Sequence, residues 1–221
     1  MKITLAALDM AGTTVADDGL VERAFTEAIG SVGVSTSDDR FPAMLDHVRR
    51  TMGQSKIVVF RALLSESLAQ QANSAFEAAY SRLVGEGLCE PVPGAEQAIK
   101  SLRALGVRVA LTTGFSRPTQ DAILAALGWQ DLADIALTPA DAGRGRPYPD
   151  MILTAALRLG IDDVRSIAAV GDTPSDILSG LRSGATISAG VLTGAGTRAE
   201  FEEAGATHVL DSIRDLPELL T

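Results

Sequence analysis

The sequence has a single cysteine, a small supply of positive charge and no long apolar run. Because Cys89 stands alone among 221 residues, no internal disulfide can form, which agrees with a reducing compartment. No apolar stretch approaches the roughly 18 residues of a membrane-spanning helix, and no basic segment followed by an apolar one opens the chain. We therefore expect a cytoplasmic protein without a membrane span or a secretion signal.

Positive charge is also scarce relative to negative charge. Lysine and arginine number 19 against 28 acidic residues, which gives a formal net charge of −9. A nucleic-acid-binding protein needs a basic surface that neutralises phosphates. The composition argues against a nucleic acid partner, and a small anionic ligand would need a local positive site. A hydrophobic fraction of 46% in 221 residues suffices for one core domain with a smaller insert.

The N-terminal segment carries the first functional signal. Ile3–Leu8 is almost entirely apolar and leads directly into Asp9 and a Gly-Thr-Thr turn. Such a run predicts a buried parallel strand that ends in a carboxylate at the ligand-binding edge of a sheet. A buried carboxylate is costly without a cation or donors beside it, so Asp9 should have a partner.

Periodicity divides the rest of the chain in two. Residues 20–86 show only helical spacing of apolar residues, whereas strands and helices alternate from residue 94 onward. Alternation of this kind predicts a doubly wound, mostly parallel α/β sheet. We predict a core domain of residues 1–15 and 88–221, with an all-helical domain of residues 16–87 inserted after the first strand. The predicted strands after the first are 107–113, 135–137, 167–172, 186–192 and 207–210.

Polar clusters follow several of the predicted strands, and parallel strands end at one edge of a sheet. Three carboxylates at that edge repel each other unless a cation joins them, and oxygen ligands suit Mg²⁺. A hydroxyl, a guanidinium and backbone N–H groups of the Gly-Thr-Thr turn would hold phosphoryl oxygens, with Asp9 as the nucleophile. Each cluster alone also fits a structural role, such as Asp172 capping a helix. The clusters are Asp9 with Gly12 and Thr13, Thr113-Gly114, Arg146, and Asp172 with Asp176.

These motifs, in this order and with a helical insert after the first, resemble the haloacid dehalogenase superfamily. The resemblance covers almost the whole chain. It implies that Asp9 is the nucleophile, that Thr113 and Arg146 bind the phosphoryl group and that the insert is a mobile cap. It also implies Mg²⁺ held by Asp9, the Ala11 carbonyl and Asp172, with support from Asp176. The matching motifs are Asp9-x-Ala11-Gly12-Thr13, Thr113-Gly114, Arg146-Pro147 and Gly171-Asp172-x-x-x-Asp176.

One position departs from most phosphatases of that superfamily, which carry an acid/base aspartate where this chain has Ala11. A methyl group cannot transfer protons, so ester hydrolysis would lose a contribution of roughly 10²–10⁴-fold. The chain is similar instead to the phosphonatase branch, in which a cap lysine forms a Schiff base with the substrate carbonyl and lets a C–P bond break. The resemblance assigns that role to Lys56. It rests on Asp9–Val15, Thr112–Arg117, Arg146 in place of the customary lysine, and Met52-Gly53-x-x-Lys56-Ile57.

The resemblance to phosphonatases is incomplete. The expected cap histidine is Val59, the expected tyrosine of the second motif is Phe115, and the expected cysteine near the first motif is Gly19 or a neighbour. We predict a Mg²⁺-dependent phosphonatase-like hydrolase that acts on phosphonoacetaldehyde or a related 2-oxoalkylphosphonate. Its candidate substrate- and phosphate-binding residues are Gly12, Thr13, Met52, Gly53, Gly114 and Phe115.

Other functions stay open at this point. A phosphatase of the same fold, acting on a small phosphate monoester similar to phosphoglycolate, would use Lys56 only to grip a distal charge. A non-catalytic phosphate-binding module would show no turnover. The sequence does not identify the group that activates the hydrolytic water. His47 of the cap is a candidate to replace the missing phosphonatase residues, although a surface position suits it better. The resemblance is also compatible with a homodimer formed through the cap helices.

Overall fold

The computed structural model describes residues 2–221 and contains one six-stranded sheet. Its strands are β1 (Leu5–Asp9), β2 (Arg108–Thr112), β3 (Ile135–Leu137), β4 (Ile167–Gly171), β5 (Ile187–Val191) and β6 (His208–Leu210). They lie in the order β3-β2-β1-β4-β5-β6, and each strand is parallel to its neighbours. The order reverses at β1, which is where ligands bind in sheets of this kind.

Residues 2–221 contain eleven α-helices, of which ten lie between strands and the last follows β6. Five of them lie between β1 and β2, and the first four form the helical insert: α1 (Leu20–Ser31), α2 (Phe41–Arg50), α3 (Lys56–Leu63) and α4 (Glu66–Gly85). The others are α5 (Ala95–Ala104), α6 (Arg117–Leu127), α7 (Pro139–Ala142), α8 (Asp150–Arg158), α9 (Pro174–Ser183), α10 (Arg198–Glu203) and α11 (Leu216–Leu219).

Strand β1 occupies the centre of the sheet, and all five of its residues are buried. Its apolar run suits this place because a central parallel strand is covered on both faces. Leu8 pairs with Leu111 of β2 and with Val170 of β4. The register therefore brings Asp9, the residues after β2 and the residues after β4 to one edge of the sheet.

The helical insert has an aromatic core. Phe60 of α3 stacks on Phe25 of α1 with ring centroids 5.7 Å apart, and it meets Phe76 of α4 edge-on at 6.1 Å. Phe76 in turn packs on Phe115, which follows β2 in the α/β core, at 6.3 Å. The apolar faces of α1, α3 and α4 thus pack against each other and against the residue that follows the second motif.

The predicted fold class is confirmed: a doubly wound parallel sheet with an all-helical insert after β1. All predicted strands are present, with ends that differ from the prediction by at most two residues. Helix α7 was not predicted, because its four residues are too few to show a helical period. The domain boundaries at residues 15/16 and 87/88 remain a prediction.

Between residues 2 and 221 no helix combines the length and the hydrophobicity that a membrane crossing requires.

Candidate active site

A cavity of about 450 Å³ opens where the carboxyl edge of the sheet meets the helical insert. We call it the central cavity. Most of the predicted site residues line it, although they come from distant parts of the sequence. These are Asp9, Ala11, Met52, Gly53, Lys56, Thr113, Gly114, Phe115, Arg146 and Asp172.

Arg146 is the main cation on the floor of the cavity, and it is 5% exposed. Its Nη2 lies 2.6 Å from Oδ1 of Asp9, and its Nε lies 2.7 Å from Oδ1 of Asp176. It also donates hydrogen bonds to Oγ1 of Thr112 at 2.9 Å and to the carbonyl of Gly53 at 3.1 Å. The rigid fork of the guanidinium therefore links the first strand, the start of α9 and the loop of residues 51–55 between α2 and α3, which we call the cap loop.

The carboxylates at this edge repel each other. Burial raises the pKa of Asp9 to about 7, although Arg146 opposes the rise. Burial and the negative charges of Asp9 and Asp176 also raise the pKa of Asp172 well above its ordinary value. The single positive charge of Arg146 thus does not balance the negative charges of these carboxylates, and a further cation would relieve the remaining repulsion.

The donor set fits Mg²⁺. Asp9 and Asp172 line one cavity. Arg146 lies 2.6 Å from Oδ1 of Asp9, and the backbone N–H of Ala195 donates to Oδ2 of Asp172 at 2.8 Å. Within residues 2–221 no cluster of three or more His, Cys, Asp or Glu side chains could enclose a metal by itself. Mg²⁺ does not need such a cluster, because it keeps several waters and binds through one or two carboxylates.

Asp176 lies at the start of α9, beside Arg146. Its Oδ2 accepts hydrogen bonds from the backbone N–H and the hydroxyl of Thr173, and its Oδ1 pairs with Arg146. Thr173, not Asp172, is the N-cap of α9, and Asp176 closes a capping box with it. Asp176 does not line the central cavity and acts on it through Arg146.

Gly12 and Thr13 also lie outside the lining of the cavity. Gly12 has a φ of +85°, and a Cβ there would lie 2.2 Å from Oδ2 of Asp172, so only glycine fits this turn. The hydroxyl of Thr13 is buried and has no hydrogen-bond partner among residues 2–221. A buried hydroxyl without a partner is costly, and its presence is typical of functional sites.

Lys56 begins α3 and extends into the central cavity, where it is 9% exposed. Its Nζ lies 5.8 Å from the ring centroid of Phe76 and 5.4 Å from that of Phe115. Within residues 2–221, none of the ion pairs of 4.0 Å or less includes this amine. Burial lowers the pKa of Lys56, and the charges of Asp17 and Asp9 only partly oppose this effect. Such an amine is more nucleophilic than an ordinary lysine.

The cap loop before Lys56 is held close to the core by glycines. A Cβ on Gly53 would lie 2.7 Å from the hydroxyl of Thr173, and a Cβ on Gly114 would lie 2.5 Å from the carbonyl of Gln54. These close backbone approaches, together with the hydrogen bond from Arg146 to Gly53, press the loop onto the sheet edge. Lys56, which follows this loop, lines the same cavity as Asp9.

The sequence did not reveal the whole lining. The loop after β5 also reaches the cavity: Ala195 donates to Asp172, and a Cβ on Gly194 would lie 2.0 Å from Oδ2 of Asp172. Its position after a predicted parallel strand was a signal that could have identified it. Asp17, which precedes α1, lines the cavity as well, with no motif to single it out. His47 is half-buried and is not among the lining residues.

Comparison with known proteins agrees with this geometry. A family model of haloacid dehalogenase-like hydrolases matches residues 3–184. The chain belongs to the haloacid dehalogenase-like hydrolase family. It is a hydrolase, as the relatives of this family are.

Individual proteins are similar to this chain over most of its length. The chain is 32% identical to a phosphonoacetaldehyde hydrolase from Bacillus cereus over 197 residues, covering 83% of this chain and 74% of the relative. A crystal structure of a phosphonoacetaldehyde hydrolase-like protein from Oleispira antarctica has a TM-score of 0.84 at 24% identity, covering 100% of this chain and 92% of that one. A structure from Lactobacillus delbrueckii described as a phosphoglycolate phosphatase has a TM-score of 0.81 at 21% identity, covering 100% and 99%. The similarities of the two structures concern the fold alone.

Proposed function

We propose that this member of the family is a Mg²⁺-dependent C–P hydrolase that acts on phosphonoacetaldehyde or a related 2-oxoalkylphosphonate. The observation that carries the proposal is the placement of Lys56. A buried amine outside every ion pair of the described chain lines the same cavity as Asp9, while the acid/base position of the family is Ala11. The 32% identity to a named phosphonoacetaldehyde hydrolase supports the same assignment.

The chemistry needs an amine because a C–P bond has no good leaving group. In our proposal the amine of Lys56 condenses with the carbonyl of the substrate and gives a protonated imine with loss of water. Asp9 then attacks phosphorus, and the electron pair of the C–P bond moves into an enamine. The enamine takes a proton from water at the carbon that phosphorus has left. Hydrolysis of the imine frees Lys56, and hydrolysis of the aspartyl-phosphate frees Asp9.

The other residues of the cavity would bind the phosphoryl group and the metal. Arg146 and the hydroxyl of Thr113 would hold the non-bridging oxygens. The N–H groups of Gly12 and Thr13, which the sequence also suggested for this role, instead donate to the carbonyls of Val15 and Met10. Asp9, Asp172 and the carbonyl of Ala11 would hold Mg²⁺. The bound metal would offset the repulsion between the anionic nucleophile and the anionic substrate.

The rival is a phosphatase that hydrolyses a small phosphate monoester. The unpaired amine of Lys56 favours it as well, since a distal carboxylate of the substrate would complete the missing ion pair. In that case the amine would bind as a cation and form no covalent bond.

Borohydride trapping separates the two functions. The chain has only three lysines, Lys2, Lys56 and Lys100, so peptide mass spectrometry locates an adduct without ambiguity. Incubation with phosphonoacetaldehyde and borohydride should alkylate Lys56 and inactivate the enzyme. Lys56→Arg keeps the charge and should lose both the adduct and phosphate release. Lys100→Arg, which changes an exposed lysine paired with Glu96, is the matched control and should retain both.

The opposite results contradict the proposal. Phosphate release from small phosphate monoesters, with no adduct on Lys56 and no turnover of the phosphonate, would support the phosphatase. Absence of turnover with any phosphonate or monoester in the presence of Mg²⁺, together with unchanged ligand binding in Asp9→Asn, would instead indicate a binding module.

A further inference from the structure

The proposed imine chemistry requires a proton donor that no predicted motif supplies. A carbinolamine loses its hydroxyl as water only if that oxygen is protonated. Ala11 has no proton to give, and Val59 is an apolar residue of the cap core. Among the residues that line the central cavity, Asp9 and Asp172 are committed to the nucleophile and the metal, and Glu22 is paired with Arg49 at 2.6 Å.

Two acidic residues of the lining remain, Asp17 and Asp18. Asp18 is exposed, and within residues 2–221 no hydrogen bond holds its carboxyl, whereas the placement of Asp17 suits the task. Asp17 lines the central cavity together with Lys56 and Asp9, and it is half-buried. Its Oδ1 accepts a hydrogen bond from the backbone N–H of Val21 at 3.2 Å, which anchors the carboxyl at the start of α1. A general acid must come within hydrogen-bond reach of the oxygen it protonates, and a substrate bound to Lys56 in this cavity would bring its carbinolamine to the side that Asp17 lines.

The electrostatics around Asp17 agree with this role. Burial raises the pKa of Asp17, whereas the N–H of Val21 and the charge of Lys56 oppose the rise. Among the negative charges that raise the pKa of Lys56 against the effect of burial, that of Asp17 has the largest influence. The negative charges of Glu22 and Asp18 also raise the pKa of Asp17. The charge of Asp17 in turn helps to raise the pKa of the Tyr80 hydroxyl on α4. A carboxyl in this environment is brought toward the range in which it both gives and takes a proton.

We infer that Asp17 is the catalytic acid/base of imine formation and release at Lys56, an inference that rests on the proposed C–P hydrolase function. In the forward direction the carboxylic acid of Asp17 gives its proton to the carbinolamine hydroxyl, which leaves as water. The nitrogen lone pair closes the C=N bond, so a protonated imine and the Asp17 carboxylate form together. After C–P cleavage, water adds to the product imine and the carboxylate takes back one proton. The second carbinolamine then collapses to the aldehyde product and the free amine.

Asp17→Asn tests the inference without disturbing the fold. The amide oxygen of asparagine still accepts the hydrogen bond from Val21, but the side chain cannot transfer a proton. We expect the rate of borohydride-trapped adduct formation on Lys56 to fall by roughly 10²–10⁴-fold. Asp17→Glu should restore part of the rate, and formate added to Asp17→Asn should restore part of it in proportion to its concentration.

Asp18→Asn is the matched control. It removes the same charge one residue away, and asparagine tolerates the positive φ of 41° at this position. It should leave the trapping rate close to that of the unaltered chain. Equal trapping rates in Asp17→Asn and the unaltered chain would overturn the inference and leave the proposed function standing. No adduct in the unaltered chain would overturn both.

Discussion

Replacement of Lys56 by methionine should stabilise the protein while it abolishes the proposed activity. The amine is 9% exposed and lies outside every ion pair of residues 2–221, so the folded protein bears the cost of removing a charge from water. Methionine has a similar length and no charge. The same burial that makes the amine nucleophilic therefore makes it a liability for the fold.

The size of the effect follows from two opposing contributions. Removal of a poorly compensated buried charge in favour of an apolar side chain stabilises proteins by about 1–4 kcal/mol. The contacts of the amine with the rings of Phe76 and Phe115, at 5.8 and 5.4 Å, are lost, which costs about 1 kcal/mol. The net gain is therefore up to about 3 kcal/mol, which corresponds to a rise in Tm of up to roughly 12 °C for a chain of this size.

Differential scanning calorimetry measures this rise. Lys56→Arg keeps the buried charge and should show no gain, and Lys100→Met changes an exposed lysine and should stay within about 0.5 kcal/mol of the unaltered chain. The advantage of Lys56→Met should shrink as the pH rises toward 10.5, because burial lowers the pKa of Lys56 from that value. In that window the unfolded chain binds more protons, so the unaltered protein gains stability with pH. A Tm below that of the unaltered chain would mean that the charge of Lys56 is well compensated, and the reasoning would fail.

Three further changes test other parts of the structure. Gly114→Ala should lower kcat/KM by about 10²-fold, because its Cβ would meet the cap-loop carbonyl at 2.5 Å; Gly85→Ala, where nothing lies within 4 Å, should not, and equal activities would contradict the close contact. Burial raises the pKa of Cys89 to about 11, so iodoacetamide at pH 8 should alkylate it ~10²-fold more slowly than free cysteine; a rate equal to that of free cysteine would refute its burial. Partial burial raises the pKa of Asp141, but hydrogen bonds from Arg117 and Thr138 outweigh this effect and hold the pKa at about 2, below its ordinary 3.8. Its contribution to stability is complete above pH 4 or so and is lost as the pH falls toward 2, hence urea denaturation of Asp141→Asn should show a lower stability at pH 7 and a weaker loss across that window.

The fold could be predicted because the central strands have a distinctive sequence pattern. Ile167–Gly171 and Leu5–Asp9 are continuous apolar runs that end at a glycine or an aspartate, and such runs suit only the buried centre of a parallel sheet. The ends of strands were less certain, since the pairing of the last residue depends on its neighbour in space. The separation of helical and alternating patterns also predicted the all-helical insert after the first strand, which the four helices α1 to α4 form.

The site could be predicted only in part, since its remaining contacts join residues that no local pattern connects. The bridge from Arg146 to both Asp9 and Asp176 depends on how two loops meet above the sheet. Thr173 competes with Asp172 for the helix cap, and the reciprocal bonds of its capping box decide in its favour. Asp17 is one of several acidic residues in its segment, and only the folded chain shows that its carboxyl is half-buried in the cavity and held by the N–H of Val21.

Under the proposed function, the proton transfers of this enzyme belong at a different end of the substrate from those of an ester phosphatase. An ester releases an oxygen next to phosphorus, so its acid must stand beside the nucleophile, at the position of Ala11. A C–P bond releases its electrons into the imine, and the protons move at the carbonyl end, near Lys56. An acid at position 11 would have nothing to protonate there and would add a further negative charge beside Asp9, whose pKa burial already raises. The methyl group of Ala11 and the carboxyl of Asp17 are then two consequences of the same change in leaving group.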